Sequence, residues 1–262
     1  MTLSESSESL TETLETPGRI AIVGCTPTGI EAALYGRFLG YDVQVFARGR
    51  TRETHPLGSA TQYPGIGPDL STGWWHQNGC SHDHDPESLL DAELPCRPSD
   101  CLTPLALSAL ESQFPECANA PRPRTLRQWI EGALGPLCQT DLLRGRVHPT
   151  QRVCQVDLVP VETDDEEPGD VPGTIPPDFL ITREDSDGES HADPFECLIA
   201  VETTVESLGC SFGWPAPYAF KIDAPASGPM EDWFRSLRTQ TTQVFAALTG
   251  RPALDLYRPG RL

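Results

Sequence analysis

The chain has 262 residues, enough to bury a full hydrophobic core in one large domain or two small ones. Its 38 Asp and Glu against 19 Lys and Arg give a formal net charge of −19, which excludes nucleic acid and anionic membrane surfaces as natural partners, since both carry the same sign of charge. No apolar run approaches the roughly 18 residues a membrane span needs, and Met1 to Pro17 offers Ser, Thr and Glu in place of a basic and then apolar leader, so a cytoplasmic protein is expected.

Residues 1–17 have little to bury and are expected to be a disordered acidic tail. Gly18 opens the run Ile20-Ala21-Ile22-Val23, short and β-branched, which predicts a buried parallel strand ending at Gly24. From Gly29 the period becomes helical, with Ile30, Ala33, Leu34, Phe38 and Leu39 on one stripe before Gly40 stops the helix. "DVQVFA" then returns to period two, completing a βαβ unit.

Residues 48–100 are rich in Gly, Pro, His and Ser around the pair Trp74-Trp75 and predict an irregular loop. A helix is expected from Arg124 to Leu143, burying Leu126, Trp129, Ile130, Ala133, Leu134 and Leu137, with a kink or break at Pro136. The strand "QRVCQVDLVPV" follows, then an acidic, proline-rich loop at 160–177 that no core would accept. "DFLIT" and "FECLIAV" predict two strands around a turn at Asp185 to Asp187, and "YAFKI" a last one. A final amphipathic helix spans Glu231 to Leu248, with Phe234, Leu237, Val244 and Leu248 inward and Gly250 and Pro252 as stop signals. The expected organisation is a single domain over 18–250 and a C-terminal tail over 251–262.

The segment Gly24-Cys25-Thr26-Pro27-Thr28-Gly29 stands where a dinucleotide fold puts its phosphate loop. That loop needs three glycines: for a tight turn, for room beside the pyrophosphate, and for close packing of helix on strand. Gly24 and Gly29 meet the first and third needs, and Thr26 stands at the second. The fold also asks for an acidic residue about eighteen positions after the last glycine, to bind a ribose. That place is Ala47, followed by Arg48. Arg48 and Arg50 could meet a ribose phosphate, or simply be solvated arginines after a strand.

On these residues the stretch "IAIVGCTPTGIEAALYGRFLGYDVQVFARG" resembles the first βαβ unit of flavin-dependent oxidoreductases, whose loop reads Gly-x-Gly-Pro-x-Gly. Later segments are similar to that family in its order. "TLRQWIEGALGPLCQTDLLRGRVHPTQRVCQVDLV" matches the helix and strand before the family's β-meander. "FECLIAVETT" matches the strand ending in Ala-Thr-Gly, with Thr203 read at the glycine, and "PYAFKIDAPASGPMEDWFRSLRTQTTQVFAALTG" the closing strand and helix, with Asp223-Ala224 where Gly-Asp or Gly-Ala is usual.

The resemblance implies an α/β, Rossmann-like, FAD/NAD(P)-binding three-layer domain: a parallel sheet with helices plus a small β-meander. It implies FAD as cofactor, NAD(P) ranking behind it, and Gly24, Cys25, Thr26, Pro27, Thr28, Gly29, Arg48 and Asp223 as the residues around it. Only residues 202–217 separate the strands "FECLIAV" and "YAFKI", so the second, nicotinamide-binding domain of many family members is missing.

With the loop altered at Thr26 and Ala47, the expectation is a flavoprotein-derived domain that binds FAD weakly or not at all and lacks redox turnover of its own. Two alternatives stand beside it: an active, monooxygenase-like FAD oxidoreductase supplied with electrons by a partner, and an acidic module that engages a basic protein. No residue is assigned a catalytic role. The nine cysteines are scattered, contain no Cys-x-x-Cys and are expected as free thiols, with Cys25 placed where a helix dipole would favour a thiolate. "CSHDHD" over Cys80 to Asp85 has soft ligands but no second pair at finger spacing, so no metal site is assigned.

Overall fold

The computed structural model describes residues 18–48, 63, 66, 90–94, 100–160, 176–203, 206–225 and 228–258. The expectations for residues 1–17, for Trp74-Trp75, for Cys80 to Asp85 and for most of the two long loops lie outside them.

β1 (Arg19–Val23), α1 (Pro27–Phe38) and β2 (Asp42–Ala47) form the βαβ unit. Four helical pieces follow: α2 (Pro104–Gln113), α3 (Pro115–Asn119), α4 (Leu126–Trp129) and, after a π-helical turn at Ile130–Leu134, α5 (Gly135–Cys138). Next come β3 (Val147–Val159), β4 (Asp178–Glu184), β5 (Ser190–Phe195), β6 (Cys197–Val201), β7 (Ala219–Ile222) and α6 (Met230–Thr249). The seven strands make one sheet in the order β5-β4-β3-β2-β1-β6-β7. β2, β1, β6 and β7 run parallel, as does the start of β3 on β2, while the rest of β3 with β4 and β5 forms an antiparallel meander.

The central strands are buried on both faces, so their alternation divides two cores rather than core from solvent. Ile20, Ile22, Val43, Val45, Ile199 and Val201 face the helices. Ala21, Val23, Phe46, Leu198 and Ala200 face the other way, where Phe179, Ile181 and Phe195 of the meander cover them. Phe195 meets Phe46 edge-on at 5.8 Å, so the meander curls over the parallel strands. The result is the expected three-layer α/β architecture of Rossmann-like type: helices, parallel sheet, meander.

Four details depart from the sequence expectations. "FECLIAV" is not one strand: β5 ends at Phe195 and β6 begins at Cys197. β5 reads Ser-His-Ala-Asp-Pro-Phe, with no apolar alternation, because it is an edge strand paired only with β4, where a proline is tolerated. The helix expected over Arg124 to Leu143 is shorter and widens into the π turn before Pro136, instead of breaking there. The Gly135 N–H reaches back five residues to the Ile130 carbonyl, which shifts the ladder just ahead of a proline that has no N–H to give. On α1, Phe38 is 41% exposed. The face turned to α6 runs instead through Tyr35, stacked on Phe245 at 5.1 Å, and Gly36. Residues 251–258 return to the same helix: the Leu256 N–H donates to the Tyr35 hydroxyl at 3.0 Å, and Tyr257 packs on that ring at 5.2 Å.

Phe245 is fully buried between Tyr35 and Tyr41 and joins α6 to the βαβ unit. Phe245→Ala is expected to lower the unfolding free energy by about 3–5 kcal/mol, whereas Phe38→Ala changes it by less than about 0.5; urea denaturation of both variants checks the contrast.

Candidate functional site

The site is built where β1 and β6 end side by side, since Val23 is paired with Ala200. Gly24 turns the chain out of β1 at φ +133, and its N–H donates to the Phe46 carbonyl at 2.8 Å. A Cβ there would lie 2.6 Å from the Val201 carbonyl oxygen, and one on Gly29 would lie 1.8 Å from that of Gly24. Both glycines therefore answer to steric contact with backbone, as the loop reading required.

Thr26 is the N-cap of α1. Its backbone is extended, its carbonyl accepts from the Ile30 N–H at 3.0 Å, and its Oγ1 accepts from the Gly29 N–H at 3.3 Å. Pro27 follows at the first helical position, where no N–H is missed. Cys25, Thr26 and Thr28 are all buried. Burial pushes the Cys25 thiol well above the ordinary thiol range and outweighs the pull of the helix dipole.

Across from the loop stands a residue that the sequence reading did not select. Glu202 follows β6 with φ +51, a left-handed conformation rare outside glycine and asparagine. The left-handed position at the end of this strand falls at Glu202. Thr203 is buried and donates to the Val201 carbonyl at 2.8 Å. The Glu202 backbone is held at both ends: its N–H donates to the Ile222 carbonyl at 2.8 Å, and Arg48 Nη1 donates to its carbonyl at 2.6 Å. Its carboxyl lies near the Thr26 hydroxyl, the Arg48 guanidinium and the Asp223 carboxylate; the first two favour its charged form and the third opposes it. The Trp233 indole, from the first turn of α6, faces the same carboxyl outside ideal hydrogen-bond geometry but near enough to favour its charged form. Burial outweighs these partners and pushes the Glu202 carboxyl up to about 7.

The structure thus brings Gly24 to Gly29, Arg48 and Asp223 to one end of the sheet, with Arg48 engaged on Glu202. Asp223 is exposed, pairs with Lys221 at 3.0 Å, and its N–H donates to Gln240 at 3.0 Å. Ala47 closes β2 and offers no acceptor from its side chain. Arg50 lies outside the described residues.

A second half-buried acid, Glu31 of α1, also went unselected. It accepts from the Thr103 hydroxyl at 2.7 Å, faces Tyr257 and Arg238, and is raised by burial. It borders a cavity of about 40 Å³ beside Thr28, Trp129 and Trp233, room for a water or two and well below the roughly 300 Å³ at which small-molecule pockets begin. An acid inside "GIEAALYG" is the signal that could have marked Glu31, and an acid directly after a buried strand could have marked Glu202. At the β4–β5 turn, Asp185, Glu189 and His191 come together, but Asp185 Oδ1 is already occupied by the N–H groups of Asp187 and Glu189 at 2.9 Å each.

No protein-family model and no curated protein matches the chain. Solved structures with a related trace include S-allyl-L-cysteine S-oxygenase from Allium sativum, 14% identical over 71% of this chain and 36% of that one, TM-score 0.39. Ornithine hydroxylase from Pseudomonas aeruginosa gives 14% identity over 70% and 38%, TM-score 0.37. Bacillithiol disulfide reductase from Bacillus cereus gives 13% over 71% and 39%, TM-score 0.32. The chain spans less than two fifths of the length of each, and the fold assignment rests on its own strand order. Among the described residues, no helix is long and apolar enough to cross a membrane.

The raised Glu202 fixes a sign for pH dependence. Its folded value, about 7, lies above the ordinary 4.5, so between the two the native chain holds more protons than the unfolded one. Its contribution to stability is therefore fully present below about pH 4.5 and lost as pH rises through 7. Relative to Glu202→Gln, the wild type should lose on the order of 2–3 kcal/mol between pH 5 and pH 8; parallel profiles from urea melts across that range would refute it.

Proposed function

We propose that the chain is a flavoprotein-derived, dinucleotide-binding-like domain that binds FAD weakly or not at all and has no redox turnover of its own. The observation that carries this reading is the Thr26 cap. A helix N-terminus binds phosphate through N–H groups left free in its first turn. Here the Gly29 N–H is taken by Thr26 Oγ1, from the very residue that replaces the loop's middle glycine. Ala47 supplies no carboxylate for a ribose, and Arg48 is engaged on Glu202.

The residues present therefore fit FAD poorly at two separate points, the pyrophosphate and the adenosine ribose. Each lost charged hydrogen bond is worth roughly 1.5–3 kcal/mol, and two such losses take a micromolar site to millimolar or weaker. What remains serviceable is architectural: the tight turn at Gly24, the packing at Gly29 and the closing helix over the sheet end.

The absorbance spectrum of the gently purified protein is the test. It is expected to lack flavin bands, and Thr26→Gly combined with Ala47→Glu is expected to raise FAD affinity at least about a hundredfold in a fluorescence titration. A yellow protein with stoichiometric flavin would overturn the reading in favour of an active FAD oxidoreductase fed by a partner.

A further inference from the structure

We propose that Glu202 is the chain's own occupant of the anion place at the N-terminus of α1, and that its side chain shuts a nucleoside diphosphate out of that place. The inference rests on the reading above and assigns the closure to a residue outside the phosphate loop.

Position comes first. Because β1 and β6 are paired in parallel, whatever follows Val201 lies beside whatever follows Val23, and Glu202 is thereby delivered to the loop by sheet register alone. Its carboxyl then lies beside the Thr26 hydroxyl, which is itself the cap of the helix. A phosphate at this end of a helix would be drawn to the first-turn N–H groups and the macrodipole, and the Glu202 side chain stands in that approach.

The backbone supplies an independent sign. Glu202 sits at φ +51, which costs energy for an L side chain and persists only where the surroundings hold it. The Ile222 carbonyl and the Arg48 guanidinium do so from two different elements, β7 and the end of β2. Arg48, which could have met a phosphate, instead stabilises the residue that takes the phosphate's place. The Asp223 carboxylate lies on the same side, so a diphosphate arriving here would meet the Glu202 side chain, a carboxylate and an arginine already bonded to the Glu202 backbone.

The share of the closure that Glu202 supplies is local to one side chain and should be relieved by mutation, on top of the separate losses at Thr26 and Ala47. Glycine suits both the left-handed backbone and the need for space, so Glu202→Gly should fold and leave the place empty. Titration calorimetry of the full chain with ADP is the experiment, with wild type, Glu202→Gly and Glu202→Asn compared; asparagine tolerates the same backbone should the glycine variant misfold. Wild type is expected to bind ADP at millimolar strength or weaker, and the two variants at least tenfold more tightly. ADP affinity unchanged in a variant that keeps the wild-type circular dichroism and a cooperative melt would overturn the inference. The outcomes separate from the earlier reading: stoichiometric FAD in the wild type defeats that reading, whereas a flavin-free wild type whose folded variants still refuse ADP defeats this inference alone.

Discussion

The close approach of three backbone segments, at Gly24, Gly29 and Val201, is the constraint on which the rest of the domain depends. No Cβ fits at either glycine without meeting a carbonyl oxygen. This contact draws the N-terminus of α1 down onto the end of β1 and holds β6 against it. Once these three are together, the direction of α1 across the sheet is set, and with it the face that must receive α6. Tyr35 and Phe245 fill that face by stacking, and residues 251–258 close the outer side through Tyr257.

The same approach organises the chemistry. Adjacent parallel strands present their carboxyl ends together, which in open α/β sheets makes the crevice where ligands bind. In this chain the crevice is lined by groups that crowd one another. Thr26 caps α1, Glu202 lies beside Thr26, Arg48 holds the Glu202 backbone, and Trp233 closes from α6. A ligand entering here must first displace these groups. Burial sets the protonation of this network, raising Glu202 against a cap and an arginine that both favour its charge.

Much of the architecture was legible in the residues. The switch of period from two to helical and back between Ile20 and Ala47 marks the βαβ unit, and Gly250 with Pro252 marks the end of α6. What escaped notice did so for physical reasons. β5 has no alternating pattern because an edge strand buries little, and the π turn before Pro136 is a local answer to a missing donor that periodicity does not encode. The site was legible by half. Gly24, Thr26 and Gly29 are contiguous and carry their own logic, whereas Glu202 stands far away in sequence and gains its meaning only from register.

The sequence by itself determined the strand, turn and helix that open the domain, because tight turns and close packing demand particular residue types at fixed local spacing. It also determined that a threonine stands at position 26 and an alanine at position 47, since both are statements about identity. The tertiary structure alone decided what surrounds them. Thr26 becomes a cap and Glu202 its neighbour because β6 pairs with β1 across nearly two hundred residues of chain. Burial then shifts Cys25 and Glu202 in directions that local charge patterns do not reveal. Desolvation and strand register are properties of the assembled sheet, and no window of the chain contains them.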